Sequence, residues 1–283
     1  MIAPKPQASR PWLAAALLCC SLASPAVLAA APQTLHEGKL TVCLYPNFLP
    51  FSGQEGQGPW SGWDVTYLQQ FAAQQKLEFV VVKVGDFKDI WLRPGKNECD
   101  IAGSGISVVQ ARVDATGKLG SWSAEYYRVV RAYAVRKGSR LKSVADLGHQ
   151  PGEPKKTVIV TDKSTADIDL TNQLACAKNK PDVEIERTND ESAGAQAVTA
   201  GKAFAYGGGL GSIEDLVKVK DSNLEVAWVH CILTEKCQNG SEPFSFVVRS
   251  ESTGLAAALD KFIGDGSGYE GNKERSPLDI PCP

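Results

Sequence analysis

From Leu40 onward the chain alternates short apolar, often β-branched runs with stretches whose apolar residues recur every three to four positions. That order is what parallel sheets covered by helices require, so an α/β fold is expected. Leu40–Leu44 reads as the first strand, and Val65, Leu68 and Ala72, with Phe71 beside them, predict a helix over 63–75. Phe79–Val84 is a continuous run of the kind found in strands buried on both faces. A short helical segment is expected around Ile90 and a strand at Ile101, with later strands at Val129–Arg136 and Phe244–Arg249. Between those two lies a section with the same habit: strands at Thr157–Val160, Val183–Glu186 and Ala203–Tyr206, and helices over 165–177 and 193–200. A last helix is expected over 253–262, followed by a tail rich in turn formers from Gly264.

The first 30 residues have the plan of a secretory signal peptide. Lys5 and Arg10 precede an apolar run from Trp12 to about Leu22, and small residues follow, with cleavage expected after Ala29 or Ala30. Cys19 and Cys20 follow no small residue, which disfavours a lipid anchor. No later apolar run approaches the ~20 residues of a membrane span, so a soluble exported chain is expected, in the periplasm. The net charge of −2 and the scattered Lys and Arg exclude a nucleic-acid partner. Of eight cysteines, Cys19 and Cys20 fall in the leader, leaving an even set: Cys43, Cys99, Cys176, Cys231, Cys237 and Cys282. In an oxidising compartment these predict disulfides, with 15 possible pairings. No C-x-x-C pair occurs and the mature histidines are His36, His149 and His230 alone, so neither a metal nor any other cofactor is expected.

The stretch Asp100-Ile-Ala-Gly-Ser-Gly-Ile-Ser-Val-Val-Gln-Ala-Arg112 reads as a carboxylate-binding corner. Gly103 and Gly105 bare the backbone for close approach, Ser104 and Ser107 offer hydroxyls, and Arg112 offers a planar fork for two parallel hydrogen bonds. Before it come Leu40-Thr-Val-Cys-Leu-Tyr-Pro-Asn-Phe-Leu-Pro-Phe-Ser52 and Ser61-Gly-Trp-Asp-Val-Thr-Tyr-Leu68; after it comes Trp122-Ser-Ala-Glu-Tyr-Tyr127. In this order the motifs resemble the amino-acid-type bacterial periplasmic solute-binding proteins, family 3, over roughly residues 38 to 263.

The resemblance implies a two-lobed clamshell, each lobe a mostly parallel sheet flanked by helices. Residues 33–130 with 245–283 would form lobe 1 and residues 131–244 lobe 2, with a solute in the cleft between them. It implies that Arg112 is the carboxylate clamp, assisted by Ser107, Ser104 and Gly105, and that Phe48 and Phe87 sandwich the ligand, with Tyr45 beside them. Ser164 and Thr165 match the second-lobe turn at a helix start, where exposed N–H groups favour an anion; the same residues suit plain helix capping. The resemblance also sets Cys43 beside Cys99. Cys231 and Cys237 would then close a short loop, and Cys176 would meet Cys282 by elimination.

Two departures bear on the ligand. The family's acceptor for an α-ammonium is Gly209 here, and an acidic residue common after the first strand is Tyr45. An ammonium buried without an anion is costly, so a carboxylate-bearing solute other than a standard α-amino acid is expected. Gly207, Gly208 and Gly209 would leave room for it. The expected protein is a monomeric binding module, not an enzyme, that hands its ligand to a membrane transporter. Two alternatives stand beside it: an accessory protein of a periplasmic quinoprotein dehydrogenase, suggested by Cys43 and Cys99-Asp100, and a cyclohexadienyl dehydratase-like enzyme with Asp167 as its acid.

Overall fold

The computed structural model describes residues 32–220 and 223–266, all within the unit that begins at Ala31. The predicted leader and Cys282 lie outside the described residues. Two five-stranded sheets organise the rest. The first runs Glu78–Lys83, Lys39–Leu44, Ile101–Ala102, Val247–Arg249, Gly120–Trp122 across its width. Its first three strands are parallel, and Val247–Arg249 runs antiparallel to both neighbours. The second sheet repeats the plan with Val183–Thr188, Lys156–Thr161, Ala205–Gly209, Arg131–Arg136 and Leu224–His230. Again three strands are parallel, and the fourth is antiparallel to its neighbours.

Leu40, Val42, Cys43 and Leu44 are wholly buried because their strand has a neighbour on each side and packing on each face. Glu78–Lys83 corrects the sequence reading: it forms the sheet's edge and is only half-buried, since its β-branched residues meet the sheet on one side alone. The expected strand Phe244–Arg249 is two pieces. Pro243–Phe244 pairs with Tyr127–Arg128 beside the other inter-sheet connection, and Val247–Arg249 enters the first sheet. Leu224–His230 is an unforeseen strand, and Gln110–Thr116 (α2) and Leu210–Asp215 (α5) are unforeseen helices.

Helix α1 (Trp63–Gln74) buries Val65, Leu68, Phe71 and Ala72 as its spacing requires. Its entry needs Gly62, whose φ is 115° and whose added Cβ would sit 2.5 Å from the Phe51 carbonyl oxygen. In the second half, α3 (Thr165–Cys176) and α4 (Glu191–Thr199) are capped by Ser164 and Asp190. Helix α6 (Leu255–Gly264) packs Leu255, Leu259 and Phe262 on the first core. Among the described residues, no helix is long and apolar enough to cross a membrane.

Cys43, on the strand Lys39–Leu44, is bonded to Cys99, which lies just before the neighbouring parallel strand Ile101–Ala102. The other two expected pairings are corrected. Cys237 is bonded to Cys176, so it does not close a loop with Cys231, and Cys176 does not await Cys282. The cause is a hairpin in which Ile232–Leu233 pairs with Asn239–Gly240 and turns Cys237 outward. Asp169 and Asn172 of α3 bind the N–H and carbonyl of Leu233, setting that turn over the helix end that carries Cys176. Cys231, buried at the foot of the hairpin, is itself disulfide-bonded.

Candidate functional site

The strand Lys39–Leu44 ends under a loop, Gly103–Ser107, that is pinned from below. Asp64, at the start of α1 and fully buried, accepts the N–H groups of Ser104 at 2.7 Å and Gly105 at 2.8 Å and the Tyr126 hydroxyl at 2.8 Å. These bonds hold Ser104 and Gly105 at φ of 82° and 60°. Burial raises the Asp64 carboxyl to about 6, against the pull of its three donors. The Ser104 hydroxyl faces inward too, accepting the Tyr45 N–H at 2.9 Å and lying 2.7 Å from Ser52 Oγ.

Above the loop the two lobes meet around a small cavity of about 10 Å³, space for about one water. Phe48, Phe87 and Phe244 form its aromatic wall, with Phe48 and Phe87 5.6 Å apart. Gly105 permits this packing, since a Cβ there would lie 2.5 Å from Phe48 and 2.9 Å from Phe244.

Behind three of the lining residues, Ser107, Thr165 and Arg131, sits a carboxylate supplied by the chain itself, which does not itself line the cavity. Glu242, 2% exposed, accepts hydrogen bonds through Oε1 from the hydroxyls of Ser107 and Thr165. Those hydroxyls are 3.2 Å from each other and come from opposite sides of the cleft. Its Oε2 lies 2.8 Å from Arg131 Nε without the alignment of a hydrogen bond, so that contact is ionic. A second buried carboxylate, Glu191 at the start of α4, does line the cavity; it accepts from the Tyr206 hydroxyl at 3.0 Å, which in turn lies 3.0 Å from Thr161 Oγ1. Glu191 also borders a wider groove of about 670 Å³ that includes Glu55, Asp190 and Asp215.

Residues 40–267 match the bacterial extracellular solute-binding proteins, family 3. The chain belongs to that family. Solved structures share its fold: an arginine-bound, truncated ArgBP from T. maritima is 22% identical, covering 81% of this chain and 96% of its own, with TM-score 0.65. AncCDT-1, an ancestral amino acid-binding protein and precursor of cyclohexadienyl dehydratase, is 19% identical, covering 81% and 90%, with TM-score 0.66. AbpA, an amino acid ABC transporter substrate-binding protein from Streptococcus pneumoniae bound to L-arginine, is 20% identical, covering 81% and 89%, with TM-score 0.65. None of the curated proteins matches the chain.

In this family 3 protein, Phe48, Phe87, Gly105, Ser107, Ser164, Thr165 and Gly209 line the cavity. Tyr45, Ser104 and Arg112 do not. Tyr45 is buried beside Phe87 and donates its hydroxyl to the Asn189 carbonyl across the cleft. Burial, with help from Glu191, keeps that phenol protonated. Arg112 is engaged by the chain's own carbonyls. Its Nη1 donates to the Ser107 carbonyl at 3.0 Å and its Nη2 to the Lys163 carbonyl at 2.9 Å, while the guanidinium lies 4.4 Å from the Trp91 ring centre. Burial lowers its pKa to about 10, and it stays charged at neutral pH. Ser164 caps α3, accepting the Asp167 N–H at 3.3 Å, whereas Thr165 turns its hydroxyl to Glu242.

The glycine triplet lines the cavity and also packs against the protein's own core. It forms most of a buried strand, and a Cβ on Gly207 or Gly209 would lie 2.7 Å from Tyr133 or 2.9 Å from Val129. The missing side chains make room for the protein's own core. Asp167 is held by Arg187 through two hydrogen bonds at 2.8 and 2.9 Å and does not line the cavity. Sequence reasoning missed Glu242, Arg131 and Glu191. The one available signal was position, since Arg131 and Glu242 flank the two connections between lobes.

Proposed function

We propose that this is a periplasmic receptor, exported through a cleavable signal peptide, that captures a small carboxylate-bearing solute between its lobes and delivers it to a membrane transporter. One observation carries the reading. The hydroxyls of Ser107 and Thr165 and the Arg131 guanidinium converge on a single carboxylate position beside the aromatic wall of Phe48, Phe87 and Phe244. Charge-assisted donors orient the head of such a solute, and the rings bury its body. Arg112 acts one layer out, tying Ser107 to Lys163 across the cleft. Denaturing the purified protein and identifying released small molecules by mass spectrometry tests this. An organic acid is expected, and a released compound without a carboxylate would refute the assignment.

Glu191 favours a second reading. A buried carboxylate on the cavity wall is a candidate receiver for an ammonium, which would restore an amino acid as ligand despite Gly209. Relatives bound to arginine make that reading concrete. A dehydrogenase as recipient is less favoured. The narrow cavity suits it, but the exposed large hydrophobics among the described residues are Leu119 and Val229, which lie in different sheets' surroundings and make no patch for a partner.

A further inference from the structure

We propose that Glu242 is a tethered occupant of the carboxylate subsite, and that a solute's carboxylate binds by displacing it. This rests on the solute-binding reading above and adds which atoms the solute must take over. Two hydroxyls and one guanidinium from three separate segments point at one carboxylate, the donor set a bound organic acid would otherwise meet. Ser107 belongs to the first lobe's loop and Thr165 opens α3 in the second, so whichever carboxylate sits there bridges the lobes. Glu242 stands on the connecting segment just before Pro243–Phe244 and supplies that bridge from within the chain.

Shared donors and charge both require exchange. Ser107, Thr165 and Arg131 are already engaged by Glu242, and two carboxylates sharing those buried donors repel. A solute must therefore replace Glu242's bonds to Ser107 and Thr165 and its contact with Arg131 before it gains anything of its own. Simple acids offer no more than the side chain already does. An acid that also covers the rings of Phe48, Phe87 and Phe244 offers apolar burial in addition, and Glu242 thereby selects against small acids.

Acetate and propionate, with acetamide as the uncharged control, test the proposal on the full mature chain and on Glu242→Ala and Glu242→Gln. Calorimetry and thermal shift should show acetate or propionate binding both variants at least about tenfold more tightly than the parent chain, because a charged occupant is gone. Acetamide should do nothing, and X-ray scattering should show acetate drawing the lobes of Glu242→Ala together. Equal acetate affinity in variant and parent, or equal effects of acetate and acetamide, would overturn the proposal. If Glu242→Ala does not fold, the isosteric Glu242→Gln decides alone by the same comparison. The outcome is separable from the receptor reading: a co-purifying organic acid with unresponsive variants would refute the tethered occupant only, and responsive variants whose parent chain releases a solute without a carboxylate would refute the receptor assignment only.

Discussion

The Arg112 guanidinium and the Lys163 carbonyl oxygen are joined across the cleft by a 2.9 Å hydrogen bond, which makes this arginine a strut between lobes. Arg112→Ala removes the strut, the bond to the Ser107 carbonyl and the packing against Trp91. It should cost on the order of 3 kcal/mol, since bonds to a charged donor and a buried stem are lost together. Calorimetric melting should fall by several degrees. An unchanged melting point combined with lost carboxylate binding would instead make Arg112 a direct clamp.

Asp64 predicts a pH dependence. Its folded carboxyl, raised to about 6 from an ordinary 3.8, holds a proton that the unfolded chain has released. The associated stability is fully present below 3.8 and is lost as pH rises through about 6, roughly 3 kcal/mol at most. Urea midpoints between pH 4 and 7 should show this fall in the parent chain and not in Asp64→Asn. The same slope in both would assign it to another group.

Gly105→Ala should destabilise the cleft. The position has φ of 60°, and the new methyl would press on Phe48 at 2.5 Å. A loss of about 1–3 kcal/mol is expected from backbone strain and overpacking. Gly85→Ala, with open space around the added Cβ, serves as control and should be near neutral. Equal denaturation midpoints for the two variants would show that the aromatic wall yields.

Peptide mapping without reduction should link Cys43 to Cys99 and Cys176 to Cys237. Cys231 is disulfide-bonded as well, and not to Cys237. A Cys231–Cys237 peptide would contradict the hairpin geometry.

Strands such as Leu40–Leu44 were legible because two-sided burial leaves contiguous apolar runs, and α1 was legible from its spacing. Leu224–His230 was not, since its pairing with Arg131–Arg136 shifts after Ala227, where Trp228 takes φ of 40° and breaks the alternation. The loop around Ser107 was visible as a motif, but its partner was not. Glu242 lies 135 residues from Ser107 and 77 from Thr165, and a buried charge has no local signature apart from its counterparts. Arg112 illustrates the converse: the motif marks this corner, but the carbonyl acceptors that engage Arg112 are invisible in the side-chain pattern.

We propose that the cleft receives the carboxylate of a solute other than a standard α-amino acid. A thermal-shift panel of standard amino acids against non-amino and aromatic organic acids tests it most directly. Ligand at ~100 times its Kd adds roughly 2.7 kcal/mol, a shift of several degrees. A clear shift with an organic acid and none with the amino acids is predicted. A shift at micromolar glutamine or arginine, with the organic acids inert, would contradict the claim and assign Glu191 the ammonium.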